Sequence, residues 1–243
     1  MLNSNTGVQF VRKEIALKKK QWVLIRDCLE GEQKIKDKGV EYLPYPSTSK
    51  PDCNRADDNR YQAYKDRAVF LNVTRRTLYE LLAQVFIKSP VVDTLENDLI
   101  KYLLDNATGN GVSLNQCAKQ SLNYALAYAY GGVFVDFPET NGAVSLADFE
   151  KGGYRPTITP YSPFDIKNFR VEDVGAEERL TLVVLGENYF DFSSDGFEVK
   201  EKQQLRVLRL VDGVYKQIIY RSKSDDNVLR VNDFKEYKTI TPT

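Results

Sequence analysis

Asp136, Asp165, Asp191 and Asp195 are the side chains with the most evident capacity for chemistry, since carboxylates joined by a lysine form the donor set of a two-metal nuclease. They fall on different expected elements and show no diagnostic spacing. A carboxylate- and metal-dependent nuclease or other hydrolase therefore stays open as the alternative reading. Asp195-Gly196 and Asp212-Gly213 read most simply as turns. Many other chemistries are closed. The 243 residues include no histidine, which excludes Ser-His-Asp and Cys-His nucleophilic sites, a histidine general base and imidazole-ligated metals. Cys28, Cys53 and Cys117 are odd in number, widely spaced and never form Cys-x-x-Cys. They indicate neither a disulfide framework nor a zinc knuckle and fit a reducing compartment. The chain also lacks the glycine-lysine loop of nucleotide-binding ATPases, the dinucleotide-binding glycine pattern, the Gly-x-Ser-x-Gly elbow and a calcium loop. No catalytic, cofactor-binding or metal-binding residue is assigned, no cofactor is expected, and the chain reads as non-enzymatic.

Charge gives no global direction to a partner. Lys and Arg number 34, as do Asp and Glu, so any contact with nucleic acid or anionic lipid must come from a local patch. Aromatic residues make up 12 % of the chain, with 15 Tyr and 12 Phe. Rings in that number suit contact surfaces and an aromatic-rich core equally well. No stretch reaches the ~18 to 20 apolar residues of a membrane helix, and Met1 to Val8 lacks the basic-then-apolar order of a signal peptide. A soluble, intracellular protein is expected.

The elements follow from periodicity. Val8 to Leu29 reads as a helix with Val11, Ile15, Trp22, Ile25 and Leu29 on one side, stopped by Gly31. Lys18, Lys19 and Lys20 read as a solvated face. Tyr42 to Arg55 contains Pro44, Pro46 and Pro51 and reads as a loop or arm. The strongest local pattern predicts one long helix, capped by Asp57 or Asp58 and ended by Ser89-Pro90. Its stripe is Tyr61, Tyr64, Ala68, Leu71, Leu78, Leu82 and Val85, widened by Phe70, Val73, Leu81 and Phe86, and it predicts burial over much of the circumference. The rod would be roughly 40 Å long at ~1.5 Å per residue. Arg75 stands where the stripe wants an apolar residue, either snorkelling past the core edge or forming a subunit-interface ion pair.

A helix over Leu95 to Leu104 is expected next, then a turn at Gly109-Asn110-Gly111. Ser113 and Gln116 form a capping-box pattern opening a helix that ends at Gly131-Gly132, followed by a strand at Val133 to Phe137. Strands are expected at Leu180 to Phe192, Gln203 to Val211, Val214 to Ser222 and Val228 to Ile240, with Asp212-Gly213 as a hairpin turn. Helices first and strands later predict an α+β protein, a helical half followed by mostly antiparallel sheet. The expected divisions are 1–56, an amino-terminal helix and proline-rich arm; 57–138, a helical core ending in a strand; and 139–243, mainly β.

Several segments taken in order resemble the amino-terminal half of the portal proteins of tailed bacteriophages, including a subgroup known only as a phage domain of unknown function. Trp22-Val-Leu-Ile-Arg-Asp-Cys28 with Gly31, Lys36, Gly39 and Tyr42-Leu-Pro44 is similar to the family's opening helix and arm. Tyr61-x-x-Tyr64-x-x-Arg67-Ala68, Asn72-x-Thr74-Arg75-Arg76-Thr77 and Val85-Phe86-x-Lys88-x-Pro90 are similar to its long helix. Gly111-x-Ser113-Leu114, Tyr130-Gly-Gly-Val-Phe-Val-Asp136, Arg155-Pro156 through Tyr161, Ile166-x-Asn168-Phe169-Arg170, Leu180-x-Leu-Val-Val-Leu-x-Glu187 and Leu205-Arg-Val-Leu-x-Leu210 continue the series. The specificity lies in the ordered succession. Gly132 departs from the pattern, since relatives often carry a charged residue there.

The resemblance implies a wing-like structural subunit of a homo-oligomeric ring, usually of twelve copies, at one capsid vertex of the virion. Double-stranded DNA would pass through the ring, with the terminase packaging motor, the capsid and head-tail adaptor proteins as partners, no membrane, and assembly in the host cytoplasm. It places Arg67, Arg75, Arg76, Tyr61, Tyr64 and Trp22 at the subunit interface. The family continues into long tunnel-lining helices past the point where this sequence ends, which implies a fragment, a split gene product or a truncated prophage relic. A capsid adaptor without a channel is a further alternative.

Overall fold

The computed structural model describes residues 7–45, 59–92, 101–137, 145, 147–148, 154–193, 195–222 and 234–240; side chains in 234–240, and those of Asn59 and Ser222, lie outside that description. Two compact units emerge, residues 20–89 and residues 1–19 with 90–243, and the boundary falls within the first long helix. The class is α+β. Helices occupy the first half of the chain and antiparallel strands the second.

In the 20–89 unit, α1 (Lys13–Glu30) ends where Gly31 adopts φ 106, a backbone setting that only glycine takes without strain. The turn leads into α2 (Glu32–Asp37). Trp22, Ile35, Tyr61 and Leu78 are buried, and so is Asp27. The Asp27 carboxylate accepts from the Tyr42 hydroxyl at 2.8 Å and lies 3.4 Å from Arg26 and 3.6 Å from Lys38. Burial pulls this carboxyl upward, and the Tyr42 hydroxyl with Arg26 and Lys38 outweighs burial, so it stays below the ordinary carboxylate value. Burial and the same contact push Tyr42 up to about 12.

The expected long rod is two helices, α3 (Asn59–Arg67) and α4 (Val73–Val85). Side chains fix the break between them. Asn72 caps α4 by accepting from the Arg75 N–H at 2.9 Å, and its amide donates to the Cys28 carbonyl at 2.6 Å. Glu32 accepts from the Phe70 N–H at 3.4 Å, while Lys36 donates to the Asp66 carbonyl at 3.1 Å. Backbone groups that a continuous helix would pair are thus met from α2. The expected burial of this rod is also corrected. Leu78, Leu81, Leu82 and Val85 share a face of α4; Leu78 is buried and Leu82 half-buried, whereas Leu81 is 43 % and Val85 61 % exposed. The proposed caps Asp57 and Asp58, and most of the helix expected at 95–104, lie outside the described residues.

The other unit begins with a 3-10 turn, Gly7–Gln9. After α5 (Leu114–Tyr128) come β1 (Gly132–Asp136), β2 (Thr157–Tyr161), β3 (Ile166–Val174), β4 (Glu177–Phe192), β5 (Val199–Val211), β6 (Val214–Ser222) and β7 (Phe234–Ile240). The capping box forms as expected, Ser113 accepting from the Gln116 N–H at 3.2 Å and Gln116 from the Ser113 N–H at 3.0 Å. The cap at the other end is Ala129 in the left-handed region, φ 51, ahead of the two glycines. Gly131 and Gly132 instead permit close packing: a Cβ there would sit 3.2 Å from Tyr124 Cβ and from Ile166 Cδ1 respectively.

β1 and β2 form an antiparallel ribbon, Gly132 opposite Tyr161 and Asp136 opposite Thr157. β3 to β7 form a second antiparallel sheet in sequence order, a meander. Asp212 and Gly213, at φ 52 and 80, make the two-residue turn between β5 and β6. On one face of the meander Val184, Leu205 and Val207 are buried together with Leu182, Ile218 and Tyr220 beside them, and Val8 from the amino-terminal turn rests on the cluster. β2 and β3 were not expected from alternation. Pro160 interrupts one, and the charged sequence Arg170-Val-Glu-Asp173 hides the other.

Candidate functional site

The opposite face of the meander carries polar side chains in register. Leu185 pairs with Arg206 and Glu187 with Gln204 across β4 and β5, and Gln217 follows on β6. Strand alternation therefore aims Glu187, Gln204, Arg206 and Gln217 to one side, where the β1–β2 ribbon supplies Asp136 and Tyr161. Arg206 donates to Glu187 Oε1 at 2.6 Å, to Gln217 Oε1 at 2.7 Å and to Asp136 Oδ2 at 3.2 Å. Tyr161 donates to the same Glu187 oxygen at 2.5 Å, Gln204 to the other at 2.9 Å, and Gln217 to Asp136 Oδ1 at 2.7 Å. The Arg206 guanidinium also lies 5.6 Å from the Phe134 ring centre.

Electrostatically the cluster is a closed circuit. Burial raises the Glu187 carboxyl, but hydrogen bonds from Arg206, Tyr161 and Gln204 together with the Arg206 charge overcome it and hold the group below its ordinary value. Burial works against the Arg206 charge too, and Glu187 restores it, so the guanidinium is held more firmly protonated. The Tyr161 hydroxyl is driven far up by burial and by its bond to Glu187. Both carboxylates are occupied by donors from their own chain. What the arrangement does is fasten the ribbon to the sheet.

Of the four aspartates considered for chemistry, Asp136 alone enters this cluster. Asp165 accepts from the Ser162 hydroxyl at 2.5 Å, Asp191 pairs with Lys202 at 2.7 Å, and Asp195 accepts from the Ser193 hydroxyl and the Phe197 N–H. The structure does not bring the four together. Among the described residues, no group of three His, Cys, Asp or Glu side chains is placed to hold a metal ion, and no helix is long and apolar enough to cross a membrane.

The residues assigned to a subunit interface divide in two. Trp22 and Tyr61 are buried inside the chain, and Tyr61 donates to the Leu43 carbonyl at 2.9 Å with its ring 4.6 Å from Tyr45 and 6.1 Å from the half-buried Tyr64. Arg67, Arg75 and Arg76 are exposed. Arg67 donates to the Ala63 carbonyl at 3.1 Å, Arg75 stacks on Tyr79 at 5.2 Å and Arg76 pairs with Glu80 at 2.8 Å. Arg75 therefore borders the apolar stripe of α4 on its Leu78–Leu82 edge, whereas Arg76 lies on the far side of the helix from Leu81 and Val85.

Sequence reading missed Glu187, Gln204, Arg206, Gln217 and Tyr161 as a set. The one local trace was Gln204-x-Arg206, two polar side chains at strand spacing, in a strand that also carries Lys200, Glu201, Lys202, Gln203 and Arg209, so nothing set the pair apart. Compared with protein-family models and with curated proteins, the chain matches none.

Proposed function

We propose that the chain is a structural subunit of a phage portal ring, the wing-like part of a channel through which double-stranded DNA enters and leaves a capsid. Its partners would be further copies of itself, the terminase packaging motor, the capsid and head-tail adaptor proteins. The observation that carries this reading is the stripe of α4, which leaves Leu81 and Val85 open beside Arg75. An exposed apolar helix face with Arg75 stacked on Tyr79 at its edge is the composition of a protein contact, where arginine and aromatic side chains are enriched. The ordered series of portal-like segments supports the same reading, and the polar cluster, engaged by its own side chains, is suited to holding a scaffold together.

The test is the assembly state of the full chain. Electron microscopy and light scattering at high concentration are expected to show ring-shaped particles, and a strictly monomeric protein would overturn the proposal. Incubation with plasmid DNA and magnesium or manganese is expected to leave the DNA intact. Cleavage abolished by Asp136→Ala, Asp165→Ala, Asp191→Ala or Asp195→Ala would replace the structural reading with a hydrolase.

A further inference from the structure

Residues 106–112, ahead of α5, form a closed loop against β2. The Ala107 N–H donates to the Val112 carbonyl at 2.7 Å, and the Ala107 carbonyl accepts from the Ile158 N–H at 2.7 Å. Ala107 is fully buried, while Asn110 and Gly111 at the tip are exposed. Gly109 and Gly111 adopt φ 82 and 81, settings that favour glycine. A Cβ on Gly109 would also sit 3.3 Å from Thr157 Cγ2. Within the loop, the Gly111 N–H donates to Asn106 Oδ1 at 2.7 Å, and the Asn110 N–H to Thr108 Oγ1 at 3.3 Å.

Asn110-Gly111 is one of two Asn-Gly pairs in the sequence; the other, Asn141-Gly142, lies outside the described residues. An asparagine ahead of glycine has a self-contained reaction, because glycine carries no Cβ to hinder the approach of its nitrogen to the neighbouring side-chain amide. Hydroxide removes the Gly111 amide proton, and the nitrogen attacks Asn110 Cγ. A bond from Gly111 N to Asn110 Cγ forms, the Cγ–Nδ2 bond breaks, and ammonia leaves with a proton returned by solvent. Water then opens the cyclic imide at one of its two carbonyls, giving aspartate, or isoaspartate in which the main chain runs through Cγ. The sum is an amide and a water converted to an acid and ammonia, with no cofactor and no change of oxidation state.

The reaction needs the Gly111 nitrogen free, and in the structure its N–H is taken. We propose that Asn110 is a latent deamidation site and that Asn106 is the residue that restrains it, by holding the Gly111 N–H on its Oδ1. Cyclisation requires that bond to break first, so conversion follows local opening of the loop. The change is not undone when the loop closes again. Isoaspartate adds a backbone atom between Ala107 and Val112, whose mutual bond closes the loop, and Ala107 in turn holds β2 through Ile158. Asn110 thereby marks chains in which this loop has opened. The inference is independent of the self-assembly reading.

The test is peptide mapping by mass spectrometry of the full chain held at mildly alkaline pH, following the mass gain from amide to acid and separating the isoaspartyl peptide by chromatography. In the folded wild type Asn110 is expected to convert about tenfold or more slowly than in the same chain unfolded in urea. Asn106→Ala should recover most of the unfolded rate, whereas Asn106→Asp, which keeps an acceptor oxygen at the same place, should stay slow. Asn141 in the same digests is the internal standard, and its rate should be equal in all three folded proteins. Hydrogen exchange at the Gly111 amide supplies a measurement on the wild type alone, with about tenfold or more protection expected relative to an unstructured glycine. A folded Asn110 that converts as fast as in urea, or a Gly111 amide that exchanges without protection, would overturn the proposal. An Asn106→Ala variant no faster than the wild type, or one in which Asn141 accelerates alongside Asn110, would overturn the role of Asn106.

Discussion

Glu187 takes hydrogen bonds from three different side chains while it is largely withdrawn from water, and its charge is what makes all three donors fit. Replacing it with glutamine turns an N–H toward groups that need an acceptor and leaves Arg206 inadequately paired. Glu187→Gln should cost about 2–4 kcal/mol, read as a lowered urea midpoint with little change in slope. The pH dependence follows in sign. Glu187 and Asp27 are both held below their ordinary values of 4.5 and 3.8 in the folded protein. Their stabilisation is therefore complete above those values and is lost as acid carries the pH down through the lowered folded ones. Melting temperature should be flat near neutrality and fall below about pH 4.5, less steeply in Glu187→Gln than in the wild type. Asp136 was singled out from the sequence, but its partners were not legible, because they lie far along the chain, Arg206 at 70 residues and Gln217 at 81. No local spacing encodes such a meeting. It arises when strand alternation on one sheet and a ribbon from elsewhere bring the same polarity to one side.

The helix break at 68–72 shows what local pattern cannot hold at the level of the element. The three-and-four spacing runs from Tyr61 to Val85 with Arg75 as its one interruption, and it carries no sign of a break between the two helices at 68–72. What divides them is Asn72, bonded at once to Arg75 and to the carbonyl of Cys28, 44 residues away. Asn72→Ala should remove a cap and an inter-helix bond, lowering stability by about 1–3 kcal/mol in thermal or urea unfolding. Features that depend on immediate neighbours were legible: the Ser113–Gln116 cap, the Asp212-Gly213 turn and the last four strands. In the sheet, Leu205→Ala should cost about 2–5 kcal/mol, because it empties the centre of a buried cluster with Val184 and Val207 on which Val8 packs.

At the scale of the molecule, the order of helices and strands in the sequence was enough for the α+β class, since each half shows its own period. The proposed assembly depends on surfaces, and surfaces were the least legible part. An apolar stripe in a sequence says that something covers it without saying whether that cover belongs to the same chain.

The meander has a kinetic consequence. Each of its strands pairs with the one before it, so every rung needs only a short stretch of chain to close, whereas docking the ribbon through Asp136 and Gln217 must close 81 residues. Hairpins should therefore nucleate first and the ribbon settle last, after the main barrier. Stopped-flow refolding of Glu187→Gln should then proceed at nearly the wild-type rate while its unfolding accelerates, so that the cluster acts chiefly as a brake on opening.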